Sequence, residues 1–259
     1  MEDEHAIYQI PEKEFFSAEI YDGHGGRRAA QIAAERLTPN FLHAWSRDLQ
    51  KPSGERLSEV ENLRKAYMEV DKGIVDNGTD SGTTAATFYI IDGRFITANV
   101  GDSRVIIGTK RNHCLTLTID HRPSLDDEKS RIEGLGGSIT FLGTPRVQGI
   151  LAVSRALGDA RLKPYISGEP RVVEGYLGRE NDYVVLACDG VWDVLSPADV
   201  IKTVRTAREP QTGAEKVKEK ALDCGSKDNI SVIVLDLRNY ILDIRHASMK
   251  IATVIDYAV

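Results

Sequence analysis

Cysteine is scarce in this chain of 259 residues, and its three cysteines, Cys114, Cys188 and Cys224, are widely spaced. An odd count with no Cys-x-x-Cys pair argues against a disulfide framework and against a zinc site. A reducing compartment is the simplest reading of this usage. We therefore expect the protein in the cytoplasm, the nucleus or both.

Long apolar runs, a leader sequence and an excess of positive charge are also missing. No apolar run approaches the roughly 20 residues that a membrane-spanning helix needs. The first five residues are acidic and lack the charged-then-apolar build of a signal peptide. The formal net charge is −6, which argues against a nucleic-acid binder. We expect neither a membrane nor a nucleic acid as partner, and we expect a monomer.

The overall composition is that of a folded protein. Hydrophobic residues make up 41% of the chain and charged residues 28%, which favours a globular domain over a disordered one. Neither an internal repeat nor a low-complexity linker divides the sequence, so we predict a single domain over residues 1–259. The pattern of the tail, residues 240–259, is ambiguous.

Helical and extended patterns follow one another along the chain. The predicted helices span residues 27–45, 60–74, 123–135, 197–205 and 214–222. The predicted strands span residues 5–10, 15–21, 83–91, 94–100, 103–108, 172–176, 183–188 and 230–237. We expect Pro39 to break or kink the first helix near Thr38. Residues 143–168 predict mostly loop, with a short strand near Leu151.

The order of these elements favours an α+β fold. Asp92-Gly93 is a strong hairpin signal and Gly101-Asp102 marks a second turn, so the three strands between 83 and 108 predict an antiparallel meander. Strands and helices do not alternate as they do in a doubly wound parallel sheet. We therefore predict two antiparallel sheets packed together with helices outside.

Three carboxylates stand at the ends of strand-like runs. Asp22 follows the second predicted strand, Asp189 follows the run 183–188, and Asp228 precedes the run 230–237. Carboxylates from distant strand ends can converge on one site for a hard cation such as Mg²⁺ or Mn²⁺. Each Asp-Gly pair is, however, also an ordinary turn dipeptide, so the turn reading stays open for Asp22 and Asp189 taken singly.

Eight short motifs, in order and across nearly the whole chain, resemble those of the metal-dependent serine/threonine protein phosphatases of type 2C. They are Met1-Glu2-Asp3, Tyr21-Asp22-Gly23-His24-Gly25-Gly26, Ser81-Gly82-Thr83-Thr84-Ala85, Gly101-Asp102-Ser103-Arg104, Asp120-His121-Arg122-Pro123, Leu151-Ala152-Val153-Ser154-Arg155-Ala156-Leu157-Gly158-Asp159, Ala187-Cys188-Asp189-Gly190-Val191-Trp192-Asp193 and Asp228-Asn229-Ile230-Ser231. The resemblance implies an αββα sandwich with two Mg²⁺ or Mn²⁺ ions at one end. It also implies hydrolysis of phosphoserine and phosphothreonine in protein substrates.

The resemblance assigns a role to each matching position. Asp22 would bridge both ions, and Asp189 and Asp228 would complete the protein ligands of one of them. Glu2 and the backbone carbonyl of Gly23 would hold the other ion. The remaining positions are Asp3, which would act through metal-bound water, His24, the general acid, and Asp120 and Asp193, which with Asp189 match a weaker third metal site.

Elementary chemistry agrees with these roles. Two divalent ions about 3.5–4 Å apart can lower the pKa of a shared water enough to make hydroxide available near neutral pH. A serine or threonine alkoxide is a poor leaving group, so a nearby acid such as His24 should protonate it. None of the three cysteines lies in a phosphate-cradling loop, and no cysteine nucleophile is needed.

Several neighbouring residues have structural readings beside the functional ones. We expect Asp102 and Arg104 to brace a turn through an ion pair, Asp159 to cap or order a loop, and His121 to be structural. We expect Trp192 to be a core residue. Asp120 and Asp193 are either ligands of a third metal ion or residues that only stabilise the local structure, and the sequence does not decide between these two roles. No motif supports a site role for His5, His43, His113 or His246.

Two departures from the family pattern bear on function. Family members usually carry an upstream strand and a phosphate-binding arginine three residues before the Met-Glu-Asp motif, whereas this sequence begins at Met1. We therefore expect a missing first strand, an exposed sheet edge and a mobile Glu2. Residues 161–169 correspond to the family's flap, on which substrate choice depends, and they contain no tryptophan. This absence disfavours the plant subgroup in which a flap tryptophan contacts a hormone receptor.

Three functions remain in competition at the level of sequence. A Mg²⁺- or Mn²⁺-dependent protein phosphatase is favoured because the downstream carboxylates and His24 are all present. The alternative is a catalytically weak or inactive scaffold of the same fold, which the missing arginine position would favour. A phosphatase module within a larger signalling protein is the third.

Overall fold

Two five-stranded antiparallel sheets form the centre of the protein, seen in a computed structural model that describes residues 1–110, 113–238 and 250–256. The strands are β1 (Glu4–Ile10), β2 (Phe15–Tyr21), β3 (Gly23–His24), β4 (Gly82–Thr83), β5 (Ala85–Ile91), β6 (Arg94–Val100), β7 (Arg104–Thr109), β8 (Cys114–Thr116), β9 (Ile139–Leu142), β10 (Thr144–Val147), β11 (Leu157–Gly158), β12 (Arg171–Tyr176), β13 (Asn181–Ala187), β14 (Ile230–Asp236) and β15 (Lys250–Asp256). The helices are α1 (Arg28–Asp48), α2 (Glu59–Asp76), α3 (Asp126–Gly134), α4 (Asp189–Trp192), α5 (Pro197–Arg205) and α6 (Pro210–Asp223).

The first sheet has the strand order β1-β2-β5-β6-β12, and the second has the order β15-β14-β13-β7-β8. Their facing sides share one apolar layer, to which Phe88, Val105 and Leu186 belong. Helices α1 and α2 cover the outer face of the first sheet, and α5 and α6 cover that of the second. The predicted α+β class and the αββα sandwich are confirmed.

Burial on both faces explains why the central strands read as continuous apolar runs rather than as alternating ones. All seven residues of β5, of β13 and of β14 are buried. One side of each strand meets the opposite sheet and the other side meets helices, so a polar residue on either side would lose its water. The expectation of a sheet covered on both sides is confirmed.

The predicted three-stranded meander is wrong at its third strand. β5 and β6 pair as a hairpin, but β7 leaves the first sheet and pairs with β13 and β8 in the second. The turn 101–103 therefore crosses between the sheets, and Val105 and Ile107 enter the layer that the sheets share. The predicted strand 83–91 is also divided, into β4 and β5.

Helix α1 is not broken at Pro39, so the predicted break is wrong. The helix runs without interruption from Arg28 to Asp48. A proline removes the hydrogen bond to the carbonyl four residues earlier, here that of Glu35. Glu35 and Pro39 both lie on the exposed side of the helix, so water can replace the missing donor.

The segment predicted as mostly loop contains more structure than expected. The segment contains β10, which forms an antiparallel hairpin with β9 just before it, and the short strand β11, which pairs with β4. Leu151 forms only an isolated bridge to Val147. Three of the four residues of β9 are exposed, so this hairpin lies on the surface.

Part of the ambiguous tail is a strand. β15 pairs with β14 along its whole length, from Ile230 opposite Asp256 to Asp236 opposite Lys250. The rest of the tail, residues 240–249 and 257–259, lies outside the described residues. Within the described ranges, no helix combines the length and the apolar character that crossing a membrane requires.

Candidate metal centre and acid–base pair

Four of the predicted ligands come together at one edge of the sandwich because of strand pairing. Asp22 follows the end of β2 and Asp3 precedes the start of β1, and these strands are antiparallel neighbours. Asp189 follows β13 and Asp228 precedes β14, which are also antiparallel neighbours. A hydrogen bond links the two pairs of strands, since Ser231 Oγ donates to Asp3 Oδ2 at 2.5 Å.

The closest group consists of Asp22, Asp189 and Cys188. Their carboxylate oxygens and Sγ lie within 4.8 Å of one another. Burial, followed by the negative charge of Asp189, raises the pKa of Asp22 well above its usual range. Burial, followed by the charge of Asp102, raises the pKa of Asp189 to about 7. Like charges this close are unfavourable unless a cation or a proton lies among them.

Asp3 adds an oxygen atom that lacks a partner. The residue is 2% exposed, and its Oδ1 is buried without a hydrogen bond to any described residue. Burial raises the pKa of this carboxyl group. A buried carboxylate oxygen with no donor is costly, and a divalent ion or a water bound to one would satisfy it. The donor set therefore fits Mg²⁺ or Mn²⁺, which favour oxygen ligands.

Glu2 lies against the same centre through its main chain. Its N–H donates to Oδ1 of Asn229 at 3.2 Å, which joins the first residues of the chain to the Asp228 loop. Gly23 permits this approach, because a Cβ atom there would lie 2.4 Å from the carbonyl oxygen of Glu2. The roles of Glu2, Gly23 and Asp228 as ligands stay predictions.

Cys188 was missed as a neighbour of the site. Its thiol donates to the carbonyl of Asn229 and accepts the N–H of Ser231, both at 3.2 Å. Burial, followed by the charge of Asp3, raises the pKa of the thiol well above its usual range. It is therefore a neutral thiol that joins β13 to the Asp228 loop. Its position directly before Asp189 was the signal that could have revealed it.

The charged residues beside this centre pair differently from the prediction. Arg104 does not bind Asp102 but holds both oxygens of Asp120, at 3.0 and 2.7 Å. Arg122 lies between Asp102, at 3.3 Å, and Asp193, at 2.6 Å. Asp120 and Asp193 are thus each held by an arginine, and their role at a third metal stays a prediction.

His24 is paired with Asp159, which was expected only to cap or order a loop. Nε2 of His24 lies 3.0 Å from Oδ1 and 2.9 Å from Oδ2 of Asp159. Asp159 is 6% exposed, so the pair is shielded on the carboxylate side. Because an ionised carboxylate can only accept, Nε2 is the nitrogen that donates and Nδ1 is the nitrogen left for another group.

A small three-stranded sheet brings these two residues together. Its order is β11-β4-β3, with His24 opposite Gly82 and Gly82 opposite Gly158. The side chains of His24 and Asp159 meet over Gly82, where a Cβ atom would lie 2.1 Å from Oδ2 of Asp159 and 2.4 Å from Nε2 of His24. Glycine is therefore required at this position by space.

Helix α2 fixes the loop that carries Asp159. Its Asp71 accepts the main-chain N–H of Gly158 at 2.7 Å and the ammonium group of Lys163 at 2.9 Å. Residues on both sides of Asp159 are thus tied to one carboxylate. The sequence signal that could have drawn attention to Asp159 is that it follows a glycine at the end of a motif.

The other predicted structural residues behave as expected. Trp192 is 7% exposed and donates to the carbonyl of Ala187 at 2.7 Å. His121 is buried beside Asn99, and burial lowers its pKa to about 4. His246 lies outside the described residues.

Comparison with known proteins settles the family. The family model described as protein phosphatase 2C matches residues 1–230. The chain belongs to the protein phosphatase 2C family. Among curated members, it is 35% identical over 235 residues to a probable protein phosphatase 2C 52 of Oryza sativa subsp. japonica, covering 91% of this chain and 47% of the relative. It is 37% identical to a probable protein phosphatase 2C 76 of Arabidopsis thaliana, covering 85% of this chain and 51% of the relative.

Solved structures of similar proteins have the same fold. A sex-determining protein of C. elegans superimposes with a TM-score of 0.81 at 28% identity, covering 95% of this chain and 64% of that one. A serine-threonine phosphatase 2C of Toxoplasma gondii gives 0.76 at 25% identity, covering 86% and 84%. This family member spans about half the length of the two curated plant relatives.

Proposed function

We propose that this protein is a Mg²⁺- or Mn²⁺-dependent protein phosphatase that hydrolyses phosphoserine and phosphothreonine in protein substrates. The observation that carries the proposal is the cluster of carboxylates formed by the half-buried Asp22 and Asp189 and the buried Asp3. Oδ1 of Asp3 has no hydrogen-bond partner among the described residues. Such a cluster is unfavourable by itself and favourable around divalent cations. Membership of the protein phosphatase 2C family supports the reaction class.

In this proposal Asp22 would hold two ions, Asp189 and Asp228 would complete the protein ligands of one, and Glu2 with the carbonyl of Gly23 would hold the other. Bound ions would supply an activated water and positive charge for the phosphoryl oxygens. Ser231 donates to one oxygen of Asp3, and the other oxygen of Asp3 would bind a water held by such an ion. A weaker third ion at Asp120 and Asp193 would compete with the arginines that hold them.

His24 is the proposed general acid and Asp159 its positioning residue. The two oxygens of Asp159 accept the N–H of Nε2. In the imidazolium form both ring nitrogens carry a proton, so the proton on Nδ1 can pass to the oxygen of the departing serine or threonine and leave a neutral imidazole. The carboxylate keeps the imidazole ring in one orientation, so that less freedom is lost when substrate binds. Asp71 keeps the Asp159 loop in place through Gly158.

The test is hydrolysis of a phosphothreonine peptide with Mn²⁺, with Mg²⁺ and with chelator, for the native protein and for Asp189→Asn. Asp92→Asn is the matched control, because Asp92 is an exposed carboxylate in the β5–β6 turn, at the opposite end of the strands from Asp22. Turnover should require metal, survive in the control and be abolished in Asp189→Asn. Folded native protein that binds Mn²⁺ in calorimetry but never turns over would instead support the scaffold function.

A further inference from the structure

A cleft of about 360 Å³ opens directly beside His24 and Asp159, which line its wall. Ile150, Leu151 and Leu162 also line it. These three side chains make one side of the cleft apolar. Ile150 is 61% exposed, although its side chain is aliphatic, and such exposure next to a polar site marks a contact surface.

Charge does not dominate the mouth of the cleft. Arg161 and Asp80 line it and form an ion pair of 2.6 Å, in which both side chains are largely exposed. The positive and negative groups offset each other, so neither an acidic nor a basic side chain gains strongly by entering. Selection of a ligand therefore depends on the apolar lining residues, Ile150, Leu151 and Leu162.

The position of the acid fixes which part of a substrate reaches the cleft. A general acid must come within about 3 Å of the leaving oxygen. In an in-line displacement the leaving group lies on the side of phosphorus opposite to the nucleophile. The polypeptide that carries the leaving oxygen therefore lies on the His24 side of the phosphate, and the cleft is the space beside His24 that can receive it.

We propose that this cleft is a subsite for one apolar side chain next to the phosphorylated residue of a protein substrate. The inference rests on the proposed function, and it adds a sequence preference to it. Ile150, Leu151 and Leu162 contact the apolar side chain, while His24 protonates the oxygen of the neighbouring residue. The space suits a single aliphatic or aromatic side chain rather than a folded element.

The experiment compares phosphothreonine peptides that carry leucine or serine at the position before or after the phosphothreonine, together with N-acetyl-phosphothreonine amide. Native protein should favour leucine at one of these positions by about tenfold in kcat/KM, the usual discrimination of a small apolar pocket. Ile150→Ser should lose most of that preference. The control Phe141→Ser, which removes a side chain that is 73% exposed on β9 and outside the cleft, should retain it.

The two proposals fail in different ways. One contrary result is that N-acetyl-phosphothreonine amide loses its phosphate while leucine and serine peptides react equally, and another is that Ile150→Ser keeps the preference for leucine. Either result contradicts the proposed subsite and leaves the proposed phosphatase activity intact. If no substrate is hydrolysed, the phosphatase is wrong. In that case the same peptides, carrying a fluorescent label, test the subsite by binding measured as fluorescence anisotropy. The proposed subsite requires that a leucine peptide bind native protein more tightly than it binds Ile150→Ser.

Discussion

At the scale of single residues, the contact between His24 and Asp159 makes the sharpest kinetic prediction. His24→Ala should lower kcat on a phosphothreonine peptide by about 10²–10⁴-fold, the usual contribution of a general acid. The loss should be much smaller on an activated aryl phosphate, whose leaving group needs little protonation. Equal losses on both substrates would count against the acid role.

Asp159→Asn should also lower kcat more on the phosphothreonine peptide than on the aryl phosphate, but the loss should be smaller than that of His24→Ala. Because Asp159 acts through His24, the double variant should be no slower than His24→Ala alone. Steady-state rates of the two single variants and the double variant complete the cycle. Losses that multiply in the double variant would show that Asp159 acts independently of His24.

Gly82→Ala tests the same contact by steric means. The added methyl group would overlap Asp159 and His24, so it should separate them and reproduce the leaving-group signature of Asp159→Asn. The affinity for Mn²⁺, measured by calorimetry, should stay within about threefold, because the carboxylate cluster is untouched. Gly54→Ala is the matched control, since nothing lies within 4 Å of a Cβ atom at Gly54.

The sequence could predict the candidate ligands but not the contact of His24 with Asp159. Asp22 and Asp189 stand next to long apolar strands, and strand ends in a sandwich converge for reasons of topology alone. The contact of His24 with Asp159 depends on β3, β4 and β11, which are two residues long each. Strands this short carry no periodicity, so their pairing is determined by the surrounding fold.

At the scale of elements, a buried carboxylate joins strand β2 to helix α1. Glu19 accepts hydrogen bonds from Ser17 at 3.0 Å, from Tyr21 at 2.5 Å and from Thr38 of α1. Burial raises its pKa to about 7. The folded protein therefore keeps this proton up to about pH 7, whereas the unfolded chain releases it near its ordinary value of 4.5.

This difference predicts that Glu19 makes the protein less stable as pH rises. Its contribution is fully present below about pH 4.5, and the free energy of unfolding falls by about 3 kcal/mol as pH rises from there through about 7. Glu19→Gln should remove that fall. Urea unfolding at several pH values, compared with exposed Glu69→Gln, measures the difference, and identical pH dependence in both variants would refute it.

Whether a segment is a helix or a strand can be predicted from the sequence more clearly than which strand it pairs with. Helices α2 and α5 and strands β2, β6 and β14 lie within a few residues of their predicted spans. The partner of β7 could not be predicted, because the turn before it is compatible with a third strand of either sheet. β9 is only four residues long, and its apolar residues Phe141 and Leu142 are exposed, so they are not part of the core pattern from which strands are predicted.

At the scale of the whole molecule, the carboxylate cluster should couple metal binding to stability. At 100 times its dissociation constant, a ligand that binds only the folded state stabilises it by about 2.7 kcal/mol. The native protein should therefore melt at a higher temperature with Mn²⁺ than with chelator. Asp189→Asn should show little of this shift.

Without metal, Asp189→Asn should be more stable than the native protein, the reverse of their order in saturating Mn²⁺. At pH 8 the metal-free native protein holds closely spaced, half-buried like charges, and Asp189→Asn removes one of them. The variant should thus melt above the native protein in chelator and below it in saturating Mn²⁺. Scanning calorimetry under both conditions tests this, with Asp92→Asn as control. A variant that is less stable in both would show that the cluster is not strained without metal.

The hydrogen bond from Ser231 to Asp3 joins residues 228 positions apart, and this has a consequence for how the protein is made. Contacts of such long sequence separation require large loops to close, so they form late. A nascent chain whose Asp228 loop is still inside the ribosome has the first sheet but no complete metal centre. Catalytic capacity should therefore appear only after the Asp228 loop has left the ribosome, and in refolding it should appear in the slowest phase.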